Sequence, residues 1–162
     1  MGTGFFGKLP ATGDFAARGL PAGVQGALDR WLTGAIVPLA SAAKGWPEGG
    51  VRAVLVLNGA PWLLVIEPSV DAVGRRYPLV ACCAQGGADL TGADIWADAA
   101  SAALLAEMEA NTGPEALHDL LAQLGLPPAG QAPLAPPALW WNGVQPGPVE
   151  PRLARLAQIS SG

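Results

Sequence analysis

The sequence predicts an α/β domain in which a single-layer, mostly antiparallel sheet is flanked by helices. Three observations carry that expectation. Residues 51–83 hold three apolar runs rich in Val, Leu and Ile, separated by two turn signals. Amphipathic helical patterns lie on both sides of that block. The 162 residues, 51% of them hydrophobic, suffice for one core. The whole chain, 1–162, reads as one domain.

The elements follow in order. Phe5, Phe6 and Leu9 make a short first strand among glycines. Residues 10–15 form a turn, with Phe15 pinning it to the core. A helix starts at Pro21 with Val24, Leu28, Trp31, Leu32, Ala35, Ile36 and Leu39 on one face, and Pro38 kinks or ends it. Residues 52–57 and 62–66 are two strands joined by the loop Asn58-Gly59-Ala60-Pro61, and 77–83 is a third strand. Its adjacent Cys82 and Cys83 point to opposite faces, which excludes a bridge between them. A second helix covers about 93–110, with Ile95, Ala99, Ala102, Leu105 and Ala106 inward and Asp94, Asp98, Glu107 and Glu109 outward. A third covers 114–124, with Leu117, Leu120, Leu121 and Leu124 inward and Gly125 closing it. The lone His118 lies between two of those leucines and reads as structural. Residues 127–137, with five prolines and no charge, make an internal linker. Leu139-Trp140-Trp141 is a final strand with one Trp in the core and the other at the surface, and a helical turn runs from 150 to 159.

Charge is distributed unevenly. Residues 1–76 hold 7 basic and 5 acidic side chains, whereas 77–151 hold 8 acidic and none basic. That argues against nucleic acid and anionic membrane as partners of the second segment, because phosphate binding draws on clustered Lys and Arg. A basic protein partner or a solvated acidic face both fit, and the solvated face is the simpler expectation. No apolar run approaches the roughly 20 residues of a membrane span, and no secretory leader is visible, so a cytoplasmic location is expected.

Catalytic and cofactor motifs are missing. Residues 2–8, GTGFFGK, satisfy two glycine-rich phosphate patterns, but no strand precedes them and Leu9 stands where a magnesium-binding hydroxyl is needed. One histidine and two adjacent cysteines do not make a zinc site, and there is no nucleophile elbow. No cofactor and no metal are expected. A hydrolase acting through Asp14, Glu67 or Asp71 needs two of these carboxylates in one pocket with raised pKa.

Gly4-Phe5-Phe6-Gly7-Lys8-Leu9-Pro10, Gly13-Asp14-Phe15 and Gly19-Leu20-Pro21, followed by Pro68-Ser69-Val70-Asp71, Gly74-Arg75 and Tyr77-Pro78-Leu79, resemble the TagF (ImpM) family associated with bacterial type VI secretion. Trp140-Trp141 resembles the aromatic segment near the family's end. Thr12 stands where a basic residue is expected. The resemblance implies a non-enzymatic cytoplasmic repressor that acts after translation by binding a type VI secretion component, in some systems a forkhead-associated-domain protein, with no cofactor. A longin-like layering fits the same element pattern. A scaffold subunit of the same machine is the alternative.

The residues marked as functional or structural candidates are therefore Lys8, Asp14, Phe15, Ser69, Asp71, Gly74, Arg75, Arg76, Tyr77, Trp140 and Trp141. Two arrangements of the charged ones are open. Asp14 and Arg75 pair between the two motif loops; or Asp14 caps its own turn and Asp71 takes Arg75, leaving Arg76 to face solvent and a partner.

Overall fold

The computed structural model describes residues 2–40 and 44–161. Seven antiparallel strands form one sheet: β1 (Gly4–Lys8), β2 (Phe15–Arg18), β3 (Val51–Leu57), β4 (Ala60–Glu67), β5 (Leu79–Ala84), β6 (Ala138–Trp141) and β7 (Val144–Gly147), in the order β2-β1-β5-β4-β3-β6-β7. Helices cover both faces, α1 (Val24–Trp31), α2 (Val37–Ala40) and α5 (Val149–Ser161) on one, α3 (Leu90–Ala110) and α4 (Pro114–Ala122) on the other. This is the antiparallel, helix-flanked α/β architecture expected from the sequence.

The central strands are buried on both faces, which is why they read as continuous apolar runs. Alternation in β3 and β4 sends Ala53, Leu55, Leu64 and Ile66 toward α1, and Val54, Leu63 and Val65 toward α3. Cys82 and Cys83 enter the two opposite cores as free thiols. Burial pushes the Cys83 thiol up to about 12, so neither is poised as a thiolate.

Several boundaries differ from expectation. The β3–β4 loop is two residues, Asn58-Gly59, both at positive φ (50° and 83°), and Ala60 already pairs with Leu57. This is the backbone that a two-residue hairpin needs, so Ala60-Pro61 belongs to the strand. β2 and β7 are edge strands of four residues each that carry too little alternation to announce themselves. Tyr77 and Pro78 precede β5 rather than opening it. The first helix continues past Pro38, widening into a π-helical stretch at Leu32–Ile36 just before the proline removes a donor. Trp140 and Trp141 face opposite sides, yet both are buried, because each face of the sheet carries a helix. Residues 127–137 have no regular element but are pinned: Gly130 N–H donates to Gly87 O, Leu134 N–H to Ala88 O, and Gln85 Nε2 to Leu134 O.

The largest correction concerns α3. Its inner side holds Ala93, Trp96, Ala97, Ala100, Ser101, Leu104 and Glu107, while Ile95, Ala99, Ala102, Leu105 and Ala106 are exposed. Asp89 caps the helix by accepting from Gly92 N–H. Glu107, expected outward, is buried and accepts from Thr112 Oγ1 and Gly113 N–H, closing the α3–α4 turn. In α4, Leu117 and Leu121 point inward, Leu120 is exposed, and the helix ends two residues early.

Candidate functional site

The two motif loops meet at one corner of the sheet, between the end of β1 and the segment that leads into β5. Asp71 is the hub. Its carboxylate is buried and accepts from Val73 N–H (3.0 Å), Arg75 N–H (2.9 Å) and Arg75 Nε (2.7 Å), with Lys8 Nζ 3.3 Å away. Removal from water alone would raise its pKa. The bonds from Arg75, Lys8 and Val73 outweigh that and hold it at about 2.

Three further bonds join the loops. Ser69 Oγ donates to Lys8 O (2.7 Å), Ala72 N–H to Thr12 O (2.7 Å), and Arg75 Nη2 to Gly13 O (2.6 Å). Gly7 allows the close approach, since a Cβ there would collide with Pro78 O. Thr12 turns its hydroxyl inward to Leu9 O and Asp14 O, which is how the first loop holds its shape without a basic residue. Gly74, at φ 87°, lets the second loop fold back so that Asp71 O accepts from its N–H.

Aromatic rings seal the corner. Phe6 and Phe15 stack at 5.6 Å, and Tyr77 meets both edge-on at 5.9 and 4.8 Å. Lys8 Nζ lies 5.0 Å from the Phe15 ring centroid. Tyr77 OH donates to Asp29 Oδ1 at 2.6 Å, which ties the corner to α1; burial and that bond both raise its pKa. Phe15 lies on the edge strand β2, 46% exposed, so it covers the corner from outside rather than pinning a loop to the core.

The expected candidates divide accordingly. Lys8, Phe15, Ser69, Asp71, Gly74, Arg75 and Tyr77 come together. Asp14 and Arg75 do not pair: Asp14 Oδ1 accepts from Phe15 N–H (2.7 Å), and Asp71 takes Arg75. The loops are still fastened to each other, through main-chain carbonyls and Lys8 instead of the Asp14 carboxylate. Arg76 is exposed beside the corner and bridges to Val70. Trp140 and Trp141 lie across the sheet on β6; Trp140 Nε1 donates to Asp94 Oδ1, and Arg155 sits 6.0 Å from the Trp141 ring.

A second polar cluster, under α3, was missed from sequence. Arg52, on β3 and fully buried, donates to Asp94 Oδ1 (2.8 Å), Asp98 Oδ1 (2.6 Å) and Gly49 O (3.0 Å). The signal was present: one Arg in an otherwise apolar strand, and two Asp four residues apart on a helix. Glu67 on β4 accepts from Ser101 Oγ (2.5 Å). Burial pushes its carboxyl from the ordinary 4.5 up to about 7, against the opposing Ser101 bond and Arg52 charge. Between those values the native state holds the proton more tightly than the unfolded chain, so stability falls as pH rises. Glu67→Gln is expected to abolish that fall, on the order of 3 kcal/mol when fully expressed, in urea midpoints measured at pH 5 and pH 8.5.

No two of the three acids offered for a hydrolase reading share a raised pKa. Asp71 is depressed, Asp14 is exposed on its own turn, and Glu67 alone is raised. Among the described residues no group of three His, Cys, Asp or Glu is placed to hold a metal, and no helix is long and apolar enough to cross a membrane.

Comparison with known proteins gives this geometry a family. The model of the TagF N-terminal domain, type VI secretion system-associated, matches residues 4–124, the stretch that contains both motif loops and the helices α3 and α4. The crystal structure of PA0076 from Pseudomonas aeruginosa PAO1 is similar over 98% of this chain and 77% of its own, with 29% identity and a TM-score of 0.65. No curated protein matches the sequence. The chain belongs to the TagF family of type VI secretion-associated proteins.

Proposed function

We propose that this protein is a non-enzymatic, cytoplasmic regulator that represses type VI secretion after translation by binding a component of the machinery, with a forkhead-associated-domain protein as the first candidate. Membership of the TagF family supports the setting. The observation that carries the mode of action is the Asp71 corner. Its buried polar groups are bonded within the chain, so the family motif builds a rigid, closed surface rather than a reactive centre. Phe15, Val73, Arg75 and Arg76 are exposed around it, a mixed apolar and cationic surface suited to protein contact.

Overexpression in a host carrying the secretion genes tests the reading. Export of the effector-tube protein is expected to fall on the order of tenfold while its cellular level stays constant, in immunoblots of medium and cells. Unchanged export contradicts repression. Stoichiometric copurification with the assembled, active machine would instead make the protein a scaffold subunit.

A further inference from the structure

The outer face of α3 carries an apolar stripe of its own. Ile95, Ala99, Ala102 and Ala106 recur at helical spacing on the exposed side, Ile95 is 65% and Leu105 48% exposed, and Leu120 of α4 and Leu126 are exposed as well. A contiguous exposed apolar stripe on a helix marks an interaction surface. Here the sheet covers one side only.

The surface is also shaped. Ile95, Trp96 and Ala99 form one wall, and Leu124, Leu126 and Pro128 the other, of a groove of about 270 Å³. Ala99 lines it, and Ala102 and Ala106 continue the exposed stripe beyond it, where their small side chains leave room for another helix to approach closely. Asp98 is already paired with the buried Arg52, and two exposed acids remain, Glu109 on α3 and Asp119 on α4. Residues 77–151 supply no Lys or Arg to balance them. A second copy of this chain would set acid against acid.

We propose that this face docks an amphipathic helix of a partner protein whose apolar stripe is flanked by Lys and Arg. The apolar stripe fills the groove between α3 and residues 124–128, and the basic flanks meet Glu109 and Asp119. This gives the acidic segment a role beyond that of a solvated face, and it adds a binding surface separate from the Asp71 corner. It rests on the reading of the protein as one that acts by binding.

A designed helical peptide of about 18 residues, with Leu at i, i+3, i+4 and i+7 and Lys or Arg on both flanks, is the probe. Its twin carries Glu at the flanking positions. Fluorescence anisotropy on the full chain is expected to show the basic peptide binding with Kd on the order of 10 μM and the acidic twin at least about tenfold weaker. Ala102→Arg, at an exposed position, is expected to weaken the basic peptide by about tenfold or more with an unchanged melting temperature. Should that variant fold poorly, Ile95→Ser reads the same surface with a smaller change. No binding, equal binding of the twins, or binding unaltered by these variants overturns the proposal. So does a dimer of the protein that Ala102→Arg dissociates, since the occupant would then be a second copy. The peptide assay reads docking and the export assay reads repression, so each can fail alone.

Discussion

Replacing Asp94 and Asp98 together by Ala is expected to cost about 3–5 kcal/mol of folding stability, a large fraction of what a domain of this size possesses. The size follows from which partner is left behind. Asp94 and Asp98 are 36% and 65% exposed in their side chains and would return to water easily, but Arg52 is fully buried and always charged. Without them its guanidinium keeps Gly49 O and the more distant Glu67, whose carboxyl burial makes harder to ionise. Were Arg52 at the surface, the same deletions would be worth about 0–1 kcal/mol. Adding Arg52→Met to the double variant is expected to recover part of the loss, because no charge is then stranded and the methionine stem packs against Trp140 and Val65. Urea denaturation of the three variants checks both statements. A double variant as stable as the parent would show that Arg52 reaches water after all.

Asp71→Asn is expected to open the corner without unfolding the sheet. The substitution keeps the size of the side chain but removes the charge that faces Lys8 and Arg75, and Lys8 is itself buried. A buried ammonium without a counter-charge must find water, and the nearest route is outward past Phe15 and the second loop. Trypsin reads the result directly, because Arg75 and Arg76 are the cleavable residues of that loop. Cutting there is expected to accelerate on the order of tenfold at 25 °C, while the thermal midpoint moves far less than in the Arg52 series. Unchanged cutting would mean that the bonds from the Ala72 N–H to Thr12 O and from the Arg75 guanidinium to Gly13 O hold the loops unaided.

Much of this architecture was legible in the sequence, and the exceptions have particular causes. The apolar runs of β3, β4 and β5 announced a sheet buried on both faces, yet the same fact hid where the tryptophans of β6 go. One Trp was expected at a surface that does not exist, because α5 covers it. For α3, periodicity offered two apolar stripes half a turn apart and no way to choose. The choice is made by polar residues: only one orientation carries Asp94 and Asp98 to Arg52, and Ser101 to Glu67. The motif residues were legible as a group, since Lys8, Phe15, Ser69, Asp71, Gly74, Arg75 and Tyr77 do assemble. Their pairing was not. Asp71 and Arg75 are four residues apart in one loop, a local closure that forms at small entropic cost, and it leaves Asp14 to its own turn. What fastens the two loops is main chain, the Thr12, Gly13 and Lys8 carbonyls, and carbonyls carry no mark in a sequence.

Amide hydrogen exchange on Asp71→Asn tests most directly whether Asp71 makes the two motif loops one unit. The amide of Ala72, which donates to Thr12 O, reports the junction between them, and the amide of Thr12, which donates to Leu9 O, reports the first loop alone. Exchange at both is expected to speed up together, on the order of tenfold, with β3 and β4 unchanged. Faster exchange confined to residues 69–77, with Thr12 as protected as in the parent, would contradict a shared lock and leave two loops that touch without depending on each other.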